Sequence, residues 1–188
     1  MPSDQQITTR IAPKPRSKDV TELLKRAQSI MKEERWRDAI KLLKNNRALV
    51  ERHWELLWNL GWCYFKLERL GDARKFLTKA AKLAPESHNC RFGLGAVYLE
   101  MKQFSKAERI LSEALQIRES HIYRLLLAFA YLAQGKIEQA ESTHLTNTKL
   151  RPKRSEAYEA YADFLSDVGR EGDAEEMYRK AKELRTLN

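Results

Sequence analysis

Histidine and cysteine are the side chains of this sequence best suited to metal binding or nucleophilic catalysis, but their spacing supports neither. The histidines and cysteines are His53, His88, His121, His144, Cys63 and Cys90. None of them combines with another, or with an acidic residue, at a spacing typical of metal ligands. The chain has no glycine-rich phosphate loop and no nucleophile elbow. We therefore expect no enzyme, no metal or other cofactor, and two reduced thiols.

Large aromatic side chains offer a different chemistry, which is binding. Trp58, Trp62, Phe65, Phe92 and Phe129 are apolar rings in the middle of the chain. Tryptophan is enriched among the residues that contribute most to protein–protein interfaces. Whether these rings form one surface depends on the elements that position them, and an internal repeat predicts those elements.

The repeat has a period of 34 residues in its clearest part. The matched pairs are Leu60 and Leu94, Gly61 and Gly95, Tyr64 and Tyr98, Ala73 and Ala107, Leu77 and Leu111, and Ala80 and Ala114. The same columns continue in both directions, with Asn46 in place of the last alanine of the first unit. The sequence therefore divides into a flexible arm of residues 1–19 and five units, at 20–53, 54–87, 88–120, 121–154 and 155–188.

Each unit is predicted to form two amphipathic helices. Apolar residues recur at spacings of three and four through residues 56–67 and again through 73–83. Small residues occupy the columns where the two helices of a unit approach closely, such as Gly61 and Ala73. Turns are marked by Gly71, Gly135, Gly169 and Gly172, and unit ends by Pro85 and Pro152.

This pattern resembles the tetratricopeptide repeat (TPR), whose signature is nearly complete in the second unit. The residues that carry the resemblance are Leu60, Gly61, Tyr64, Ala73, Ala80 and Pro85. It implies an all-α fold, a right-handed superhelical solenoid of five tandem TPR helix-turn-helix units. It also implies a protein-binding module, in which the first helix of each unit lines a concave groove.

The groove implied by the resemblance has a basic end, an apolar and aromatic middle and an acidic end. Its predicted residues are Lys25, Gln28, Lys32, Trp58, Asn59, Trp62, Phe65, Asn89, Phe92, Leu125, Leu126, Phe129, Glu159 and Asp163. A partner with apolar anchor residues, as an extended peptide or an amphipathic helix, would suit such a groove. The expected function is therefore a scaffold or chaperone-like adaptor. The alternative is that the rings pack on neighbouring helices or cover one another.

Charge supports two further interpretations. The net charge is +9, and the first unit holds nine basic and five acidic residues while the last holds five basic and nine acidic. A basic first unit and an acidic last unit, with Asp163 and Asp167, could meet head to tail in a weak homo-oligomer. Nucleic-acid binding at Lys149, Arg151, Lys153 and Arg154 is less expected, because most basic residues are interleaved with acidic ones.

The second helix of the fourth unit departs from the pattern. Residues 142–148 have weak helix propensity, and His144 and Asn147 occupy columns that are apolar elsewhere. We therefore expect the junction between the fourth and fifth units to be the most mobile of the solenoid.

Composition and the distribution of apolar residues predict the cellular location. The chain is 43% hydrophobic and 32% charged, which is ordinary for a soluble helical domain. No apolar stretch approaches the ~20 residues that a membrane span needs. The N-terminus has no apolar segment resembling a signal peptide. A cytoplasmic protein is the expectation.

Overall fold

The computed structural model describes residues 18–186, which form eleven helices and no strand. The helices are α1 Lys18–Lys32, α2 Trp36–Asn45, α3 Arg47–Val50, α4 Trp54–Lys66, α5 Leu70–Leu83, α6 His88–Glu100, α7 Phe104–Ile117, α8 His121–Leu132, α9 Ile137–Leu150, α10 Ser155–Asp167 and α11 Glu171–Thr186. Almost all of the arm predicted at residues 1–19 lies outside the described residues, and its last two residues, 18 and 19, belong to α1.

Five helix pairs follow one another along the chain. The pairs are α1 with α2, α4 with α5, α6 with α7, α8 with α9, and α10 with α11. The second helix of each pair packs on the first helix of the following pair: α2 on α4, α5 on α6, α7 on α8 and α9 on α10. Because each pair contacts its sequence neighbours, the core extends along the chain rather than around one centre. The predicted all-α solenoid is confirmed.

Small residues hold the two helices of a unit together. A Cβ atom built on Gly61 would lie 2.7 Å from Leu77 Cγ, and one on Gly95 would lie 2.6 Å from Leu111 Cδ2. Ala73, one of the small residues of the second helix, is fully buried. At Gly61 and Gly95, the leucine side chain of the second helix therefore fills the space that a methyl group would need.

The turn inside each unit uses a left-handed residue at one repeated position. These residues are Glu34 (φ 55°), Glu68 (φ 58°), Lys102 (φ 55°), Gly135 (φ 70°) and Gly169 (φ 77°). A non-glycine residue costs roughly 1 kcal/mol in this conformation, so three units accept strain that glycine relieves in the last two. The prediction that Gly71 and Gly172 mark turns was wrong, since both lie in the first turn of a helix.

The first unit has an extra helix because its second helix stops early. The helix α2 has 10 residues, whereas α5, α7 and α9 have 14 each. Asn46 follows α2, and its side-chain Nδ2 donates to the carbonyl of Leu42 at 2.9 Å. This polar cap replaces the alanine of other units, and the chain then turns into the short helix α3.

The helix α9 is continuous despite its weak propensity. Its threonine hydroxyls bond back along the helix, with Thr143 donating to the Gln139 carbonyl and Thr146 to the Ser142 carbonyl. His144 and Asn147 are 7% and 1% exposed, and His144 Nδ1 and Asn147 Nδ2 have no hydrogen-bond partner. Buried polar groups without partners destabilise the packing around them. This gives a physical reason for the mobility predicted at the junction between the fourth and fifth units, which stays a prediction.

Candidate partner-binding groove

The first helices of successive units form one face of the solenoid. The helix α1 packs on α4, α4 on α6, and α6 on α8. Side chains of these helices that are not needed between the two helices of a unit point along this face, which we call the groove face. It is the surface on which the sequence places the binding residues.

A continuous series of aromatic ring contacts crosses the groove face. Trp58 stacks on Trp62 with ring centroids 5.3 Å apart, and Trp62 stacks on Phe65 at 5.0 Å. Phe92 of α6 lies 5.8 Å from Trp62 and stacks on Tyr123 of α8 at 5.0 Å. We call these five side chains the ring array. It joins three first helices through apolar contact.

The position of Trp58 is fixed on two sides. Its indole N–H donates to the backbone carbonyl of Asn89 at 2.9 Å. A Cβ atom on Gly93 would lie 3.2 Å from Trp58 Nε1 and 3.0 Å from Leu77 Cδ2, so glycine makes room for the ring. One end of the ring array is therefore anchored to the next unit before any ligand binds.

The other end of the ring array is held by a chain of polar contacts. His88 Nδ1 lies 2.7 Å from the Tyr123 hydroxyl, and Arg118 lies 3.2 Å from His88 Nε2. A guanidinium can only donate, so Nε2 accepts and Nδ1 carries the proton given to Tyr123. Burial, and then the Arg118 charge, lowers the pKa of His88. Burial raises the pKa of Tyr123, so both groups remain neutral near pH 7.

Two carboxylates at the acidic end of the groove face contact side chains of α11. Glu159 pairs with Arg185 at 2.5 Å, and Asp163 accepts a hydrogen bond from the Tyr178 hydroxyl at 2.6 Å. This hydrogen bond raises the pKa of Tyr178. These carboxylates already have partners within the chain. The free acidic surface is smaller than the sequence predicts.

Comparison with known families identifies the repeat. Two models of the tetratricopeptide repeat match the chain, one over residues 24–88 and the other over residues 68–123. Together they span more than half of it. The chain belongs to the tetratricopeptide repeat family. Membership of the TPR family supports a role as a protein–protein interaction scaffold.

Solved TPR structures share the fold over most of the chain. A MamA fragment from Desulfovibrio magneticus RS-1 has a TM-score of 0.78 and 19% identity, covering 91% of this chain and 97% of that one. A MamA crystal structure gives 0.74 and 19%, covering 86% and 95%, and MamA MSR-1 gives 0.70 and 20%, covering 90% and 98%. Similarity at this level of identity concerns the fold alone. No curated protein sequence matches the chain.

The predicted groove residues differ in accessibility on the TPR scaffold. Lys25, Gln28, Lys32, Asn89, Phe129 and Asp163 are exposed, and Trp58, Trp62, Phe65, Phe92, Leu125, Leu126 and Glu159 are half-buried. Phe129 is the most exposed large apolar side chain of this set, at 53%. Its ring contacts Phe104 edge-on at 6.3 Å rather than any member of the ring array. The apolar surface is therefore not one uniform patch.

Two predictions about individual groove residues need correction. Asn59 was expected on the groove face but is 2% exposed, and its Nδ2 has no hydrogen-bond partner. It lies on the same helical stripe as Leu56 and Cys63, both fully buried, so the helix turns it into the core. Tyr123 was missed because its column holds the buried residues Leu56 and Cys90 in earlier units. The signal that could have identified it is an aromatic residue, Tyr123, in a column that holds small or aliphatic packing residues in the second, third and fifth units.

The residues suited to metal or thiol chemistry are dispersed. In the part of the chain that the structure describes, no three His, Cys, Asp or Glu side chains are placed to hold a metal ion. Cys63 and Cys90 are buried and free, and burial raises the pKa of Cys63 to about 12. A thiol with such a pKa is a packing residue at neutral pH. None of the described helices is both long and apolar enough to cross a membrane.

Proposed function

We propose that this protein is a scaffold that holds an apolar segment of a partner protein, either an extended peptide or an amphipathic helix, against the ring array on its groove face. The observation that carries the proposal is that Trp58, Trp62 and Phe92 form a half-buried cluster of contacting rings across two first helices. The repeat columns do not require these rings. Large rings retained outside the packing columns are typical of a binding surface.

The arrangement suits binding because the rings are already ordered. Stacking and the hydrogen bond from Trp58 to the Asn89 carbonyl restrict side-chain rotation before a ligand arrives. Less rotational entropy is then lost when a ligand side chain contacts the exposed parts of Trp62 and Phe92. Contact between the rings thus reduces the exposed apolar area of the site but makes the site rigid. The two interpretations from sequence, rings that bind a partner and rings that cover one another, are therefore compatible.

Removing the two tryptophans is expected to abolish partner binding without unfolding the solenoid. The experiment is affinity capture from a lysate of the native cells, comparing the wild type with a Trp58→Ala, Trp62→Ala double variant whose helicity is verified by circular dichroism. A partner retained by the wild type should be at least roughly tenfold depleted on the double variant, in keeping with hot-spot tryptophans.

Trp36→Ala is the matched control for this experiment. Trp36 is a half-buried tryptophan at the start of α2, the centre of its ring lies 5.8 Å from the Lys66 ammonium rather than against a member of the ring array, and its loss should leave capture unchanged. Equal capture by all three proteins would mean that the rings are structural and would refute the proposal.

Head-to-tail self-association is the second candidate function. It is favoured by the excess of acidic residues in the last unit and of basic residues in the first. The pairing of Glu159 with Arg185 and of Asp163 with Tyr178 weakens it, since these groups would have to exchange partners. Asp167 remains exposed.

Charge reversal at the acidic end tests self-association. If the contact forms, sedimentation velocity at low salt should show oligomers that disappear in an Asp163→Lys, Asp167→Lys variant and at high salt. We expect a monomer for the wild type and the variant alike. Salt-sensitive oligomers present in the wild type alone would favour self-assembly.

A further inference from the structure

A cavity lies on the opposite face of the solenoid, between the second helices of the first two units. Its volume is about 460 Å³, within the range of ligand-binding pockets. The floor is apolar and includes Leu43, Val50, Leu60 and Phe76. We call this cavity the first outer groove. It uses no member of the ring array.

The rim of the first outer groove is strongly basic. Lys44, Arg47, Lys75 and Lys79 line it, together with the single carboxylate of Glu51. Lys79 lies 2.7 Å from Glu51, and Arg47 lies 3.7 Å from it. The pKa of Glu51 is lowered, first by the hydrogen bond from Lys79. One carboxylate therefore balances four cations.

Two of these cations, Lys44 and Lys75, form no direct salt bridge among residues 18–186, and the charge of Lys75 acts on Glu51 only from a greater distance. The ammonium of Lys44 lies 5.7 Å from the centre of the Tyr64 ring, and that of Lys75 lies 5.9 Å from the centre of the Phe76 ring. Both lysines are exposed. A ring face attracts a cation only weakly at exposed sites, so both ammonium groups remain available to an anion.

The repeat provides an internal comparison. The equivalent groove between the fourth and fifth units has a volume of about 490 Å³. There, the positions of Lys44, Arg47, Lys75 and Lys79 are taken by Leu145, Thr148, Glu176 and Lys180. At the two intermediate junctions, Arg109 is the one basic residue found at these positions. The last groove is lined by Lys149, Arg170 and Lys180 against Asp173 and Glu176. The excess of positive charge is therefore larger at the first junction and is not a requirement of the fold.

The extra helix gives the first outer groove its own wall. The early end of α2 at Asn45 and the cap made by Asn46 are followed by α3, which packs on α2 and α4. Arg47 and Val50, which belong to α3, line the cavity with one cation and one apolar side chain. The residues that interrupt the repeat thus also contribute to the cavity.

We propose that the first outer groove binds an acidic segment of a partner protein, in which a large apolar side chain is flanked by carboxylates. The apolar floor accepts the side chain, and Lys44 and Lys75 pair with the carboxylates. Charge complementarity excludes a basic segment. The apolar floor favours a protein over a nucleic acid, whose phosphates would leave it unfilled. This site is separate from the groove face and can bind a second protein.

The test uses defined probes and measures fluorescence anisotropy. The probes are fluorescein-labelled short peptides with a central Trp, Phe or Leu between pairs of Asp or Glu residues. Companion peptides replace either the acids by Asn and Gln or the central residue by Gly. Binding should require both features. It should weaken at least about tenfold, or ~1.4 kcal/mol, in a Lys44→Glu, Lys75→Glu variant.

A Lys149→Glu, Lys180→Glu variant is the matched control, because it makes the same charge change in the equivalent groove of the last two units. It should bind the acidic peptides as the wild type does. The Trp58→Ala, Trp62→Ala variant should also bind them normally, which separates this site from the proposed function. Amide shifts of the bound protein should centre on residues 43–51 and 75–79.

Three results would overturn the proposal. The first is no binding of any acidic–apolar peptide at low salt. The second is equal weakening by the charge reversals at the first and last junctions, which would indicate a response to net charge alone. The third is tighter binding of polyuridylate RNA or of phosphatidylserine vesicles than of every peptide, lost in the Lys44→Glu, Lys75→Glu variant. That result would assign the groove to another class of anion.

Discussion

A His144→Leu variant is expected to be more stable than the wild type by about 1–3 kcal/mol at pH 7. His144 is 7% exposed, stacks on Phe164 at 5.1 Å and leaves Nδ1 without a hydrogen-bond partner. The same repeat column holds Leu43, Leu77 and Leu111, all fully buried. Leucine would restore the apolar column and remove a buried polar atom.

The same substitution should remove a pH dependence. Burial lowers the pKa of His144 to about 4, while the Asp163 charge opposes this more weakly. In the unfolded chain the histidine has its ordinary pKa near 6.5, so well above pH 6.5 the imidazole is neutral in both states and its protonation does not change the free energy of unfolding. As the pH falls from 6.5 towards 4, the free energy of unfolding decreases, because the unfolded state binds a proton that the folded state does not. The loss amounts to roughly 3 kcal/mol over this window.

Urea unfolding of both proteins between pH 7.5 and 4 measures this effect, and their difference cancels the titration of the carboxyl groups. Amide exchange through residues 142–149 shows whether the gain is local to the junction of the last two units. A His53→Leu variant is the control, since His53 is a half-buried histidine outside α9, between α3 and α4. A constant stability difference across this pH range would contradict the assigned burial of a neutral imidazole.

A Gly95→Ala variant is expected to lose about 1–3 kcal/mol of stability through overpacking. Its new Cβ would lie 2.6 Å from Leu111 Cδ2 and 2.7 Å from Cγ, far inside normal contact distance. Leu111 is fully buried, so it cannot swing into solvent, and α6 and α7 must separate. The equivalent change Gly61→Ala, with Leu77 Cγ at 2.7 Å, should behave similarly.

Gly71→Ala and Gly172→Ala are the controls for this prediction. A Cβ atom on either glycine would meet nothing within 4 Å, and both positions are helical. Alanine there should be neutral or stabilising by about 0.5–1 kcal/mol. Chemical denaturation of the four variants checks the prediction. A Gly95→Ala protein as stable as Gly71→Ala would show that the helix pair is looser than the structure indicates.

The repeat columns made most of the fold predictable. The matched spacing of Gly61 with Gly95 and of Leu77 with Leu111 indicated which residues meet, and the structure places Leu77 against Gly61 and Leu111 against Gly95. In a solenoid each unit packs on its neighbours, so a short-range pattern contains most of the information about the core. The departures at Asn46 and His144 were also visible as breaks in a column.

The binding surfaces depended on contacts that no column encodes. The ring contact of Trp62 with Phe92 and the pairing of Glu159 with Arg185 join different helices. So do the contacts of the basic rim between α2, α3 and α5. The sequence alone determined the helix pairs and their order, because helix period and small-residue spacing are local. Only the tertiary structure decided which large side chains remain accessible, because side-chain accessibility depends on rotamers and on neighbours from other units.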